Sequence, residues 1–232
     1  MKLVYLDNAA TTKPRQEVVE AILPFLAERY GNPSSIYGIA REARVALDEA
    51  RGKVAKAINA HPEEIIFTGS GTEADNMAIK GVAYAHSKRG NHIITSQIEH
   101  HAVLDSVKRL KKRGFEVTFV PVDSYGMVDP ADVEAAITSD TVLISIMHAN
   151  NEVGTVQPIE DIAEIAKSHG VLFHTDAVQT TGHIPVDVKK LGVDLLSLSG
   201  HKFKGPKGIG ALWVRKGVKM EKFIDGGGQE RN

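Results

Sequence analysis

Apolar positions along the chain follow two alternating rhythms. Short runs of aliphatic and β-branched residues are separated by longer segments in which apolar residues recur at helical spacing. Gly, Pro, Asn and Asp mark the boundaries between them. The helical period predicts helices over residues 17–30, 39–58, 73–86, 102–113, 131–137 and 159–169, with Pro24 expected to kink the first. The short runs predict strands over 64–67, 92–95, 116–120, 142–147, 171–174, 195–198 and 210–214. Several strands, such as Val142-Leu143-Ile144-Ser145-Ile146, are apolar on both faces. That pattern predicts an α/β fold with a mostly parallel sheet covered by helices on both faces. In such sheets ligands bind beyond the carboxyl ends of the strands, so chemistry is sought in the residues that follow them.

Composition narrows the picture. The 232 residues are 42% hydrophobic and 25% charged, an ordinary globular balance, and the length suits one large domain. Lys and Arg number 28 against 29 Asp and Glu, so no net field draws the chain to nucleic acid or to an anionic membrane. No apolar run reaches the roughly 20 residues of a membrane span. The first seven residues meet Asp7 too soon for a signal peptide, which makes the cytoplasm the expected compartment. The chain has no cysteine and therefore no disulfide, thiolate ligand or thiol nucleophile of its own.

Polar clusters follow the predicted strands. Gly69-Ser70-Gly71-Thr72-Glu73 opens a helix, and Ser70 with Glu73 fits a capping box. Such a start suits a phosphate, although a plain capped helix has the same pattern. The pair His100-His101 admits a metal, a ring stacked on a flat ligand, or a solvated helix start. With no recognised ligand spacing in the chain, no metal is expected. Asn150-Asn151-Glu152-Val153-Gly154 either orients a polar ligand or simply turns the chain. Asp176 follows a strand expected to be buried, where a carboxylate needs a cation or donors; a ring cation and a structural salt bridge both qualify. In Ser199-Gly200-His201-Lys202, one lysine is a candidate amine nucleophile, whereas Lys204 and Lys207 read as a solvated loop.

Taken together and in order, Leu6-Asp7-Asn8-Ala9-Ala10-Thr11-Thr12, Tyr30-Gly31-Asn32-Pro33-Ser34-Ser35, Gly71-Thr72-Glu73, Glu99-His100, Asn150-Asn151-Glu152-Val153-Gly154, Asp176-Ala177-Val178-Gln179 and Ser199-Gly200-His201-Lys202 resemble the cysteine desulfurases of the NifS/IscS type. The resemblance runs the whole length of the chain. It implies the large domain of the fold type I transferases that depend on pyridoxal 5′-phosphate, and removal of sulfur from L-cysteine to give L-alanine and a persulfide. It also implies delivery of that sulfur to an iron–sulfur scaffold protein or another acceptor, and a homodimer.

By the same resemblance, Lys202 is the catalytic lysine that holds the cofactor, and His100 stacks on the ring and acts as an acid or base. Asp176 partners the pyridine nitrogen, and Gln179 donates to the phenolic oxygen. Gly71, Thr72, Ser199 and His201 form the phosphate cup, and Asn151 lies beside the cofactor and the substrate carboxylate. The implied organisation is an N-terminal segment, 1–15, associated with the small domain, and a large cofactor domain, 16–232. The small domain and the catalytic cysteine are expected downstream of the residues present. A class V aminotransferase, a selenocysteine lyase relative, or a cofactor-binding module without turnover are the alternatives.

Overall fold

The structure, a computed structural model, describes residues 4–231. Met1, Lys2 and Leu3 of the expected N-terminal segment, and Asn232 of the glycine-rich terminal loop, lie outside the described residues. Among the described residues, seven strands form one mixed sheet in the order β1-β7-β6-β5-β4-β2-β3. These are β1 (Ile65–Thr68), β2 (His92–Ser96), β3 (Glu116–Val120), β4 (Thr141–Ser145), β5 (Leu172–Asp176), β6 (Leu195–Ser199) and β7 (Gly210–Val214). Strands β6, β5, β4, β2 and β3 run parallel to one another, whereas β7 is antiparallel to both β1 and β6. All seven coincide with the strands expected from the apolar runs, and the sheet is mostly parallel as expected.

The helices are α1 (Gln16–Ala27), α2 (Gly38–Ala57), α3 (Gly71–Ala85), α4 (His101–Lys111), α5 (Pro130–Ala136), α6 (Ile159–Ser168) and the single turn α7 (Val188–Leu191). Helix α1 continues past Pro24 to Ala27. No described helix is long and apolar enough to cross a membrane.

Alternation along the strands builds a three-layer molecule. Ile93, Leu143, Leu195 and Leu212 point to one face, where α3 and α4 bring Ala78, Ile79, Val82, Val103 and Leu110. Their neighbours Ile94, Ile144, Leu196 and Trp213 point to the other, against Ile58, Val133, Ile162 and Leu191 of the region from α2 to α7. The central strands β2, β4 and β6 are buried at every position, which is why they read as continuous apolar runs. This rigid centre fixes the carboxyl ends of the parallel strands, where the candidate residues sit.

Candidate active site

Strand β1 hands the chain to α3 through Gly69-Ser70. Ser70 caps the helix, its Oγ accepting from the Glu73 N–H at 3.1 Å. The Glu73 carboxylate reaches back one residue further than a capping box requires, accepting from the Gly69 N–H at 2.8 Å. Gly71 is obligatory here for a steric reason. A Cβ would sit 2.6 Å from Val178 Cγ2 and 3.2 Å from Ser199 Cβ, so only hydrogen lets the helix start approach the loops after β5 and β6.

That approach encloses a cavity of about 310 Å³, within the range of small-molecule sites. The structure brings all nine sequence-expected residues to its wall: Gly71, Thr72, His100, Asn151, Asp176, Gln179, Ser199, His201 and Lys202. Ala10, Ser70, Asp75, Met147 and Val178 complete it. His101 is not in the wall, and Lys204 and Lys207 are exposed. Among the described residues, no group of three or more His, Cys, Asp or Glu could hold a metal ion.

Asp176 ends β5 and is buried. Burial pushes its carboxyl up, while the Val178 N–H, which donates to Oδ1 at 2.9 Å, and the nearby His100 and Lys202 pull it down. Lys202 closes the short 3-10 turn Gly200–Lys202 after β6. Partial burial lowers its ammonium pKa, against the pull of Asp176 and Asp7. The His201 ring is pushed down by burial and by Lys202 and Lys207. His100 caps α4: Nδ1 accepts from the Ala102 N–H at 3.1 Å, which leaves Nε2 as the ring's free position. The two asparagines divide their work. Asn150 Oδ1 accepts from the Glu152 and Val153 N–H groups and shapes the turn, whereas Asn151 reaches the cavity.

Three features of the site were given no role by the sequence, although two of them lie in segments that carry the resemblance. The N-terminal segment folds over the lysine: Nζ of Lys202 donates to the carbonyls of Ala9 and Ala10, and Gln179 Nε2 donates to Ala9 at 3.0 Å. Thr12 fastens that segment to the lysine loop, donating from N to the His201 carbonyl at 2.9 Å and accepting at Oγ1 from the Lys204 N–H at 2.7 Å. Asp75 and Glu99, both buried, are the other two. Glu99 accepts at Oε1 from Ser96 Oγ and the Met147 N–H, yet burial pushes it up to about 8. Asp75 is pushed well above the usual carboxylate range by burial and by Asp176. His174 of β5, near Asp75, is pushed down to about 3 by burial and is neutral.

The family profile of the class-V aminotransferases matches residues 4–232. The chain belongs to the class-V aminotransferase family. Within it, the cysteine desulfurase IscS of Dictyoglomus turgidum is 62% identical over 99% of this chain, and that of Methanosarcina thermophila is 60% identical over 99%. The chain spans 58% and 57% of the length of these two class-V relatives. A solved NifS-like protein superposes with a TM-score of 0.96 at 49% identity, covering 99% of this chain and 64% of that one. A solved structure of SspA in complex with cysteine has a TM-score of 0.96 at 43% identity, covering 99% of this chain and 67% of that one. The class-V sheet described above is therefore the NifS-like fold.

Proposed function

We propose that these residues form the cofactor-binding part of a cysteine desulfurase that uses pyridoxal 5′-phosphate to take sulfur from L-cysteine, yielding L-alanine. The observation that carries this reading is the convergence of an amine, a buried carboxylate and a capped helix start on one cavity. The donor set fits the cofactor. Free N–H groups at the start of α3, together with Thr72, Ser199 and His201, suit its phosphate, and the hydrogen-only position at Gly71 lets a phosphate approach the backbone. When bound, the ring supplies an electron sink for the bonds broken at the substrate carbon.

The chain's own residues do the remaining work. Asp176 lines the cavity, and its carboxylate, drawn toward the charged form by Lys202 and His100 against its burial, favours a proton on a ring nitrogen beside it. Lys202, its pKa lowered by burial, offers a neutral amine at lower cost than an exposed lysine and is the group that carries protons near the substrate carbon. His100 caps one side of the cavity, with Nε2 available as a second acid or base. Gln179 and Asn151 supply neutral polar groups that orient without adding charge.

In this reading residues 16–232 are the large cofactor domain and residues 1–15 a segment that reaches across toward a small domain. The contacts of Ala9 to Thr12 with the lysine loop support its place over the site. L-Cysteine as substrate is supported by the names of the relatives and by the cysteine complex of SspA. The sulfur acceptor is an iron–sulfur scaffold protein or a similar partner in the cytoplasm. The complete protein is a homodimer, for which Leu23, Leu26 and Tyr30, exposed along and just after α1, leave apolar surface to cover.

Titration of the chain with pyridoxal phosphate is expected to give a visible absorption band, and borohydride reduction followed by peptide mass analysis to place the cofactor on Lys202. Lys202→Ala should lose the band. Reduction onto Lys204 or Lys207, or a band that survives the substitution, would refute the assignment.

A further inference from the structure

The cavity wall holds a second carboxyl that the mechanism above does not use. Asp75, in the first two turns of α3, is 1% exposed and lines the same cavity as Asp176. Its Oδ1 has no hydrogen-bond partner. The nearest nitrogen, His174 Nε2, is 3.6 Å from Oδ1, beyond hydrogen-bond length. That ring offers no cation either. His174 is fully buried, and its two nitrogens are already engaged by Ser145 Oγ and Ser197 Oγ at 2.9 Å each.

Of the groups that face Asp75, only the Ser197 hydroxyl supports an anion. From β5 come Asp176 and the neutral His174, from β6 the Ser197 hydroxyl, and from the turn after β2 the buried Glu99. Two of these are carboxyls. Lys202 and His100 pull on Asp176 and are not among the groups that act on Asp75. Two neighbouring carboxyls in a dry setting cannot both ionise cheaply, and the one that lacks a cation keeps the proton.

We propose that Asp75 is a positioning residue: held as a neutral acid in the cavity wall, it leaves the whole negative charge of the pair on Asp176, the carboxylate that faces Lys202 and His100. Asp176 then meets a ring cation as a full anion, with no second anion beside it to weaken its ionisation. This role deepens the cofactor reading and rests on it only for the use to which the charge is put.

The protonation state can be read without any cofactor. In the cofactor-free chain with aspartate side-chain carboxyls labelled with ¹³C, Glu99 is silent and each aspartate reports its own charge. One labelled carboxyl is expected to resonate as the protonated acid at neutral pH and to vanish in Asp75→Asn. A wild-type spectrum in which every aspartate is ionised would overturn the proposal, as would persistence of the protonated signal in Asp75→Asn. If Asp75→Asn does not fold, sequential assignment of the uniformly labelled wild-type chain decides alone: a protonated signal assigned to Asp75 supports the proposal, and one assigned to Asp176 overturns it. Failure of the chain to bind pyridoxal phosphate would instead strike the cofactor reading and leave the carboxyl spectrum intact.

Discussion

Glu99 shows how a single side chain couples the site to pH. Its Oε1 accepts two hydrogen bonds, but Oε2 is buried without a partner, so the charged form is poorly supported and the folded carboxyl is pushed up to about 8 from 4.5. A group whose folded pKa lies above its unfolded value stabilises the fold fully at low pH and loses that contribution as pH rises through the folded value. The window for Glu99 therefore runs from about 4.5 to about 8. Within it one proton changes stability by at most about 1.4 kcal/mol per pH unit. Denaturant unfolding across this window should show Glu99→Gln gaining stability relative to the parent chain as pH rises. A difference between the two that stays constant with pH would mean that Glu99 is already ionised in the fold. Neither Glu99 nor Asp75 could be read from the sequence. Glu99 sits in a polar turn and Asp75 among ordinary helix-surface residues, and only the packing of α3 on the sheet buries them. Asp176 was legible because it directly follows an apolar run.

At the scale of elements, the strands were legible because burial on both faces leaves continuous apolar runs, and six helices because their apolar period survives over several turns. The turn α7 was not foreseen. Its four residues are too few to show a period, and it is held instead by Asp187, which accepts from the Lys189 N–H, and by Gly192 in the left-handed region at φ 69°. Strand order and the antiparallel placement of β7 were likewise hidden, since pairing is a long-range property that local periodicity does not encode. The segment after β7 is anchored by such a long-range contact. Arg51 of α2, 5% exposed, donates to both oxygens of Glu230 at 2.8 and 2.6 Å, and the Phe67 N–H donates to the same carboxylate at 2.7 Å. Removing that carboxylate leaves the buried guanidinium its bond to the Ile65 carbonyl at 2.6 Å but no counter-charge there, and leaves a strand-edge N–H without its acceptor. Glu230→Ala should therefore cost about 1–3 kcal/mol in thermal or denaturant unfolding. A loss within a few tenths would show that water replaces the carboxylate there.

On the scale of the whole molecule, the proposed reaction needs one reactant that these residues do not supply. The 232 residues contain no cysteine, so a thiolate that accepts sulfur must come from residues beyond these or from solution. The difference is large. Holding two reactants in place contributes about 7–11 kcal/mol to a bimolecular step, which a freely diffusing thiol forgoes. A preparation limited to these 232 residues should therefore bind pyridoxal phosphate and still release sulfide and alanine from L-cysteine only slowly. The rate should rise in proportion to an added thiol such as dithiothreitol, and Lys202→Ala should abolish it. Sulfide and alanine assays over a series of thiol concentrations test this directly. Fast release that ignores added thiol but still depends on Lys202 would mean that the carbon–sulfur bond is broken here without a thiolate acceptor, and the family's route to sulfur transfer would not describe this chain.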